Sequence, residues 1–276
     1  MAIPWVLYTS KTLQIKDYKM EKTRLNKFIS HNTNYSRREA DELIKAGKVS
    51  IAGRVVSDLA TSVDEDDKVR INGRLIKLKK EFTVIVYHKQ KGELVSKKDD
   101  RGRKTIYDTL DKKFAKFVSV GRLDYASEGL LLLTDAPAIA TALMNSDLER
   151  EYYLKVKGEV TKEVIEAMTN GFFAKDATKG AHAKTTIKSM EFKPFLAYKV
   201  FGSSGGYTKL KVIINEGQNR ELRRFFGYFD LEVMDLKRVS FGRVSLDMLK
   251  PGKWRYFENS EYEDLRDFLK VNNVRY

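Results

Sequence analysis

An α+β protein of two units is what this sequence predicts. The chain has 276 residues, more than one small module needs and a length that suits two domains. Its patterned segments are rich in strands, with helical stretches between them but no strict strand–helix–strand alternation. A basic, unpatterned run near residues 78–82 separates a compact first block from a longer second one. The expected division is an extension over 1–22, a small unit over 23–80, a larger unit over 81–258 and a C-terminal helix within 259–276.

Residues 1–19 have no clear period and lack the basic-then-apolar order of a signal peptide. Met20 lies just before the first patterned segment, so we expect it to be the native start and 1–19 to be an extension. From Arg24 to Ser30 the apolar residues Leu25, Phe28 and Ile29 fall at helical spacing. Ser36-Arg37-Arg38-Glu39 is a capping box, in which Ser36 and Glu39 each satisfy the other's backbone N–H. The helix behind it packs Ala40, Leu43 and Ile44, stops at Gly47, and leaves Arg37, Arg38 and Lys45 on other faces. Ala52-Gly53 and Asn72-Gly73 sit between short apolar runs and predict two hairpins.

After the basic run, strands are expected at Thr83–His88, Phe117–Val120, Leu130–Thr134, Tyr152–Lys157, Thr185–Ile187 and Lys209–Ile214. Helices are expected at Pro137–Met144, with proline in the first turn, at Lys162–Met168 and at Arg220–Phe229. Asp135 is placed to cap the first of these. Ser260-Glu261-Tyr262-Glu263 is read as the cap of a last helix with Leu265, Phe268 and Leu269 inward. Gly202-Ser203-Ser204-Gly205-Gly206 reads as a flexible connector between strands.

The net charge of +14 points to a polyanionic partner. Residues 1–80 hold 17 Lys/Arg against 10 Asp/Glu, the same excess that the remaining, much longer part carries. The first block is therefore the denser polycation. No lipid-binding helix or lipidation signal accompanies it, and no run approaches the ~18 apolar residues of a membrane span. Nucleic acid is favoured over membrane. There are no cysteines, which excludes disulfides and thiolate chemistry and fits a reducing, cytoplasmic compartment.

The chemistry-bearing stretch is Gly121-Arg122-Leu123-Asp124-Tyr125-Ala126-Ser127-Glu128-Gly129, followed by an apolar run. A carboxylate wedged against an apolar segment is costly unless a positive group meets it. Asp124 therefore either marks a site or pairs with a distant Arg or Lys. Arg220, Arg223 and Arg224 sit at i, i+3 and i+4, a basic face on a helix whose other side is Leu222, Phe225, Phe226 and Phe229. Such a face is either solvated or supplies guanidiniums to Asp124 and to phosphate. His31, His88 and His182 are far apart, with no metal-ligand spacing.

These residues resemble those of the pseudouridine synthases, in the RsuA/RluB/RluF group. The resemblance covers residues 23 to about 258. Gly121 to Asp135 is similar to the family's active-site motif. Residues 23–77, with Arg24-Leu25 and Ser36-Arg37-Arg38-Glu39-Ala40, are similar to an S4 RNA-binding domain. Gly92 to Ser96 with Gly102 to Thr105 is similar to an early motif. Arg150-Glu151-Tyr152 is similar to the segment that supplies the active-site tyrosine. Glu216 to Arg224 is similar to the late motif that supplies the catalytic basic residue. Where the family usually has Lys-Pro-x-Gly, this chain has Lys89-Gln90-Lys91-Gly92, without the fixed φ of proline. Arg220-Glu221 in place of His-Gln resembles the RluB-type branch.

The resemblance implies a mixed, mostly antiparallel catalytic sheet with flanking helices behind an S4 domain. It implies isomerisation of a uridine in ribosomal RNA, in a large-subunit stem-loop, without cofactor or metal. It makes Asp124 the essential carboxylate, Arg223 its charge partner and Tyr152 the ring that stacks on a flipped uracil. Arg122 would fill the gap or hold the flipped phosphate, and Leu222 would form an apolar wall. Arg220, Arg224, Arg37, Arg38 and Lys45 would contact RNA, the last three fixing register through phosphates. The expected partner is rRNA or an assembling subunit, met by a monomer with no membrane association. A non-catalytic assembly factor would need only the basic S4 region, and a hydrolase with paired carboxylates would need Asp135 beside Asp124.

Overall fold

The computed structural model describes residues 22–33, 35–64, 66–77 and 81–274. The expectations for Met20, for residues 1–19 and for most of the 78–82 linker fall outside these. The chain divides between Leu78 and Lys79 into two compact units.

The first unit holds β1 (Thr23–Arg24), α1 (Leu25–Asn32), α2 (Arg37–Lys45), β2 (Val49–Ile51), β3 (Arg54–Val56), β4 (Ser62–Val63), β5 (Val69–Ile71) and β6 (Arg74–Leu75). Glu39 N donates to Ser36 Oγ at 3.2 Å and Ser36 N donates to Glu39 Oε2 at 2.7 Å, closing the capping box. The two hairpins lie in one antiparallel sheet of order β3-β2-β5-β6. Leu25, Ile29, Ala40, Ile44 and Val49 have no exposed surface and form the core. Arg37, Arg38 and Lys45 are exposed, with Lys45 3.4 Å from Glu42 in a solvated pair.

The second unit opens with β7 (Val84–Lys89), α3 (Ile106–Thr109), a 3-10 turn at Lys112–Phe114, β8 (Val118–Ser119), β9 (Glu128–Thr134) and α4 (Pro137–Met144). It continues with β10 (Arg150–Lys157), α5 (Lys162–Asn170), β11 (Phe172–Ala174), β12 (Met190–Phe192), β13 (Ala197–Ser204) and β14 (Tyr207–Ile214). It ends with α6 (Glu221–Tyr228), β15 (Glu232–Phe241), β16 (Val244–Ser245), β17 (Trp254–Tyr256) and α7 (Asn259–Val271). The main sheet runs β13-β14-β10-β15-β9-β7-β17, with β16 beside β15 and β8 beside β9. Its pairs are antiparallel apart from β15 and β9.

That parallel junction is short, pairing Lys237 with Glu128 and Arg238 with Gly129. Gly129 has φ +112°, and a Cβ there would lie 2.1 Å from the Arg238 carbonyl oxygen. Only glycine fits. Arg238 Nε donates back to the Leu130 carbonyl at 2.8 Å. The two halves of the sheet differ in cover. β7 is buried along its whole length: Val84 and Val86 face α4 and α7, while Ile85 and Tyr87 face α3 and Phe114. β10 instead alternates, with Tyr152, Leu154 and Val156 buried and Tyr153 exposed. Among the described residues, the helices of this half pack on one face, that of Tyr152, Leu154 and Val156.

Four local expectations are corrected. Thr185–Ile187 is irregular rather than a strand, because the Ile187 carbonyl accepts from the Arg224 side chain at 2.8 Å instead of from a neighbouring strand. The last helix is capped by Glu258 and begins at Asn259, so Ser260 lies inside it. Its Leu265 and Leu269 are part of the second unit's core. Asp135 does not cap α4, whose cap is Ala136. Its Oδ1 accepts from Thr83 N at 2.8 Å and so ties the start of β7 to the end of β9. Gly205-Gly206, read as part of a flexible connector, is the tight turn of the β13–β14 hairpin.

Candidate active site

Asp124 lies in the turn that feeds β9, where Ser127 N donates to the Asp124 carbonyl at 3.0 Å. A buried lysine holds this turn. Lys89, the last residue of β7, has no exposed surface. Its Nζ donates to the carbonyls of Asp124 at 3.0 Å, Ser127 at 2.7 Å and Gln90 at 2.9 Å. All three ammonium hydrogens are thus used. Burial pushes the Lys89 ammonium down to about 8, against the pull of Glu93, Asp124 and Glu128. The loop after Lys89 lacks proline but is tied at two points. Gln90 N donates to Glu93 Oε2 at 3.1 Å, and Gly92 N to the Tyr125 carbonyl at 2.8 Å. Glu93, itself buried, also accepts from Tyr87 Oη at 2.7 Å and from Thr109 Oγ1.

Two arginines converge on the Asp124 carboxylate from the start of α6. Arg220 Nη1 is 3.3 Å and Arg223 Nε 3.4 Å from Asp124 Oδ2. The Arg223 contact is a charge pair, since the Nε–H is not aligned for a hydrogen bond. Arg223 places its other nitrogens firmly. Nη1 donates to the Val233 carbonyl at 2.8 Å, and Nη2 to Ser127 Oγ at 3.1 Å and the Ala126 carbonyl at 3.4 Å. Burial disfavours the Arg223 charge, and the Asp124 carboxylate offsets this. Arg220 is the cap residue of α6 and adopts the left-handed conformation, φ +53°. Its Nε donates to the Gly180 carbonyl at 2.7 Å. Gly180 is pressed against α6: a Cβ there would lie 2.0 Å from the Arg223 carbonyl oxygen.

Asp124 is less buried than its apolar flank suggests. Its side chain keeps 27% of its surface open, against 9% for Arg223. The arrangement is a carboxylate in contact with two guanidiniums yet reachable from solvent. That suits a nucleophile or a base.

The other expected residues are distributed as follows. Tyr152 and Leu222 are buried in the same apolar cluster as Leu123, the residue before Asp124. Tyr153 points the opposite way and is 44% exposed. Arg122 is exposed. Arg224 is corrected: it has no exposed surface, and donates from Nε to the Ala177 carbonyl at 2.6 Å and from Nη2 to that of Ile187. It staples the irregular segment 175–189 to α6 and does not face RNA. Arg37, Arg38 and Lys45 belong to the first unit. Lys89, Ser127 and Gly180 were missed by sequence reasoning. The one signal for Lys89 was its place as the lysine of the Lys89-Gln90-Lys91-Gly92 stretch, which resembles a family motif but did not point to the Asp124 turn. Among the described residues, no group of three or more His, Cys, Asp and Glu is placed to hold a metal ion, and no helix is long and apolar enough to cross a membrane.

Comparison with known proteins gives the chain its family. Residues 83–228 match the family described as RNA pseudouridylate synthase, and residues 23–69 match the S4 domain. A Helicobacter pylori protein named as an uncharacterized RNA pseudouridine synthase is 52% identical over 248 residues, covering 89% of this chain and 94% of its own length. Ribosomal large subunit pseudouridine synthase B of Bacillus subtilis is 33% identical over 245 residues, covering 88% of this chain and 95% of its own. Among solved structures, the crystal structure of a pseudouridylate synthase aligns with a TM-score of 0.58 at 26% identity, covering 88% of this chain and 99% of that one.

Proposed function

The chain belongs to the RNA pseudouridylate synthase family and carries an S4 domain ahead of its catalytic unit; on that premise we propose that it acts through Asp124 on one uridine of large-subunit ribosomal RNA. It is an isomerase. The N1–C1′ bond of the uridine breaks, the base turns while held, and a C5–C1′ bond forms. A proton leaves C5 and one is gained at N1, so no atom or electron is added, and we assign the reaction no cofactor.

The observation that carries the assignment to Asp124 is its contact with Arg220 and Arg223, both within 3.4 Å of one carboxylate oxygen. A carboxylate can serve this reaction by attack at C1′, by addition to C6 of the ring or by removal of the C2′ proton. Each role needs the anion. Arg223, fixed by Val233, Ser127 and Ala126, positions the charge from the buried side. Arg220 meets it from the more open side. The target base must leave its stack, which costs a few kcal/mol. Tyr152 gives the flipped uracil a ring to stack on and Leu222 an apolar wall. Arg122, exposed beside Leu123, takes the displaced phosphate or the vacated position.

Arg37, Arg38 and Lys45 bind phosphates and set the register of the RNA without reading bases. A stem-loop target is favoured because unpaired bases can be splayed out. Large-subunit rRNA is favoured by the relatives named ribosomal large subunit pseudouridine synthase B in Bacillus subtilis and Vibrio vulnificus. It is also favoured by Arg220-Glu221 in the late motif. The enzyme acts as a monomer in the cytoplasm, on rRNA or an assembling particle. Release of tritium from large-subunit rRNA made with [5-³H]uridine tests the proposal. Wild type releases it and Asp124→Asn does not; equal release by the two would refute the role of Asp124.

A further inference from the structure

We propose that the uncovered face of β13, β14, β10 and β15 is a second RNA-binding surface, which stacks unpaired bases of the substrate away from the Asp124 site. This rests on the reading that the substrate is RNA. The face is the one opposite Tyr152. Strand register places Lys199, Lys211, Tyr153 and Lys237 in one row across the four strands. The adjacent row holds Lys209 and Lys155 beside Asp235. Three carboxylates lie on this face among six lysines: Glu232 sits opposite Lys157 in the register, and the other two are already engaged. Glu151 is 3.2 Å from Lys211, and Asp235 pairs with Lys91. The face is therefore positive, which selects a polyanion over an acidic-patch-seeking or apolar partner.

Charge alone would mark a solvated sheet face. The aromatic groups set this one apart. Tyr153 and Phe201 are 44% and 50% exposed, and their rings are parallel, with centroids 6.0 Å apart and an interplanar angle of 5°. A register shift between Val200 and Gly202 leaves Phe201 as the extra residue of a bulge, a device that re-aims side chains. Lys199 Nζ lies 5.5 Å from the Phe201 ring centre, and Lys155 Nζ 4.2 Å from that of Tyr207. Neither fold nor solubility calls for two parallel rings in water beside a lysine row. Rings for bases, with cations spaced for the backbone, are what sequence-tolerant single-strand binding uses.

The test uses the full chain and a fluorescein-labelled oligouridylate, with affinity read by anisotropy across a salt series. Tyr153→Ala with Phe201→Ala is expected to weaken binding by about tenfold or more. Lys199→Gln with Lys237→Gln keeps the rings, and is expected to flatten the log–log salt dependence by about 0.7 for each phosphate no longer neutralised. Photo-crosslinking with 4-thiouridine is expected to label Tyr153 or Phe201. Affinity is read without catalysis, so failure to form pseudouridine would count against the Asp124 assignment and not against this surface. Wild-type affinity in the folded ring variant, or an unchanged salt slope in the lysine variant, would overturn the proposal.

Discussion

Arg220 reaches Asp124 at 3.3 Å from a residue that is not itself helical: its φ of +53° is left-handed. For a residue with a Cβ that conformation costs about 1–2 kcal/mol. It aims one guanidinium at Asp124 and at the Gly180 carbonyl together. Strain held at a charge contact is what a functional site retains. Arg220→Gly and Arg220→Ala should lose activity to the same degree, because both remove the guanidinium. Arg220→Gly should be the more stable by about 1 kcal/mol, because glycine accepts the backbone. Urea unfolding beside the tritium-release rate checks this, and equal stabilities would mean that the backbone is not strained.

Arg223→Ala should be more damaging. It leaves the Val233 carbonyl and Ser127 Oγ without their donor and removes the buried-side charge from Asp124. A stability loss of about 2–4 kcal/mol is expected, and a rate loss on the order of a hundredfold or more. Arg223→Lys should recover part of the stability but little of the rate, since one ammonium cannot replace the fork that reaches three partners. A stable, fully active Arg223→Ala protein would remove the residue from the account.

Lys89 gives the site an alkaline limit. Its ammonium is held down to about 8, whereas an unfolded lysine titrates near ~10.4. Between these values the unfolded chain binds more protons, so this group makes the fold more stable as pH rises from about 8 towards 10. The turn responds in the opposite sense. A neutral amine has two hydrogens for the three carbonyls of Gln90, Asp124 and Ser127. Single-turnover rate should therefore fall above about pH 8 while circular dichroism shows no unfolding. A rate flat to about pH 9.5 would show that Lys89 keeps its proton or that the turn does not need it.

Gly129→Ala should disrupt the fold rather than the chemistry. The new Cβ would lie 2.1 Å from backbone at Arg238, at a φ of +112°. Nothing flexible can yield there, so the β9–β15 junction must open. A loss of about 3 kcal/mol or more is expected, visible as a lowered urea midpoint or as insoluble protein. A midpoint equal to wild type would show that the junction is more pliant than its spacing implies.

Much of this was legible because local rules set it. Ser36 and Glu39 spell a capping box, Asn72-Gly73 a hairpin, and Pro137 the first turn of α4. Asp124 was legible as a group in need of a cation because it looked costly alone, and the resemblance of residues 216–224 to the family's late motif singled out Arg223 as its partner. What escaped detection depends on long-range backbone contacts. Lys89 meets carbonyls 35 and 38 residues away, and no pattern in a strand announces which carbonyls its end will find. Arg224 shows the same limit in reverse. Helical spacing placed it on a basic face with Arg220 and Arg223, but the carbonyls of Ala177 and Ile187 draw it inside. Asp135 likewise serves Thr83, across the sheet, and not the helix beside it.

The most direct test is a pseudouridine map of ribosomal RNA by carbodiimide modification and primer extension, in cells with wild-type protein, Asp124→Asn or none. The account predicts one large-subunit site, present in wild type and absent from both altered strains. A site that persists with Asp124→Asn but disappears in the deletion would contradict the central claim, because the chemistry would then not depend on Asp124.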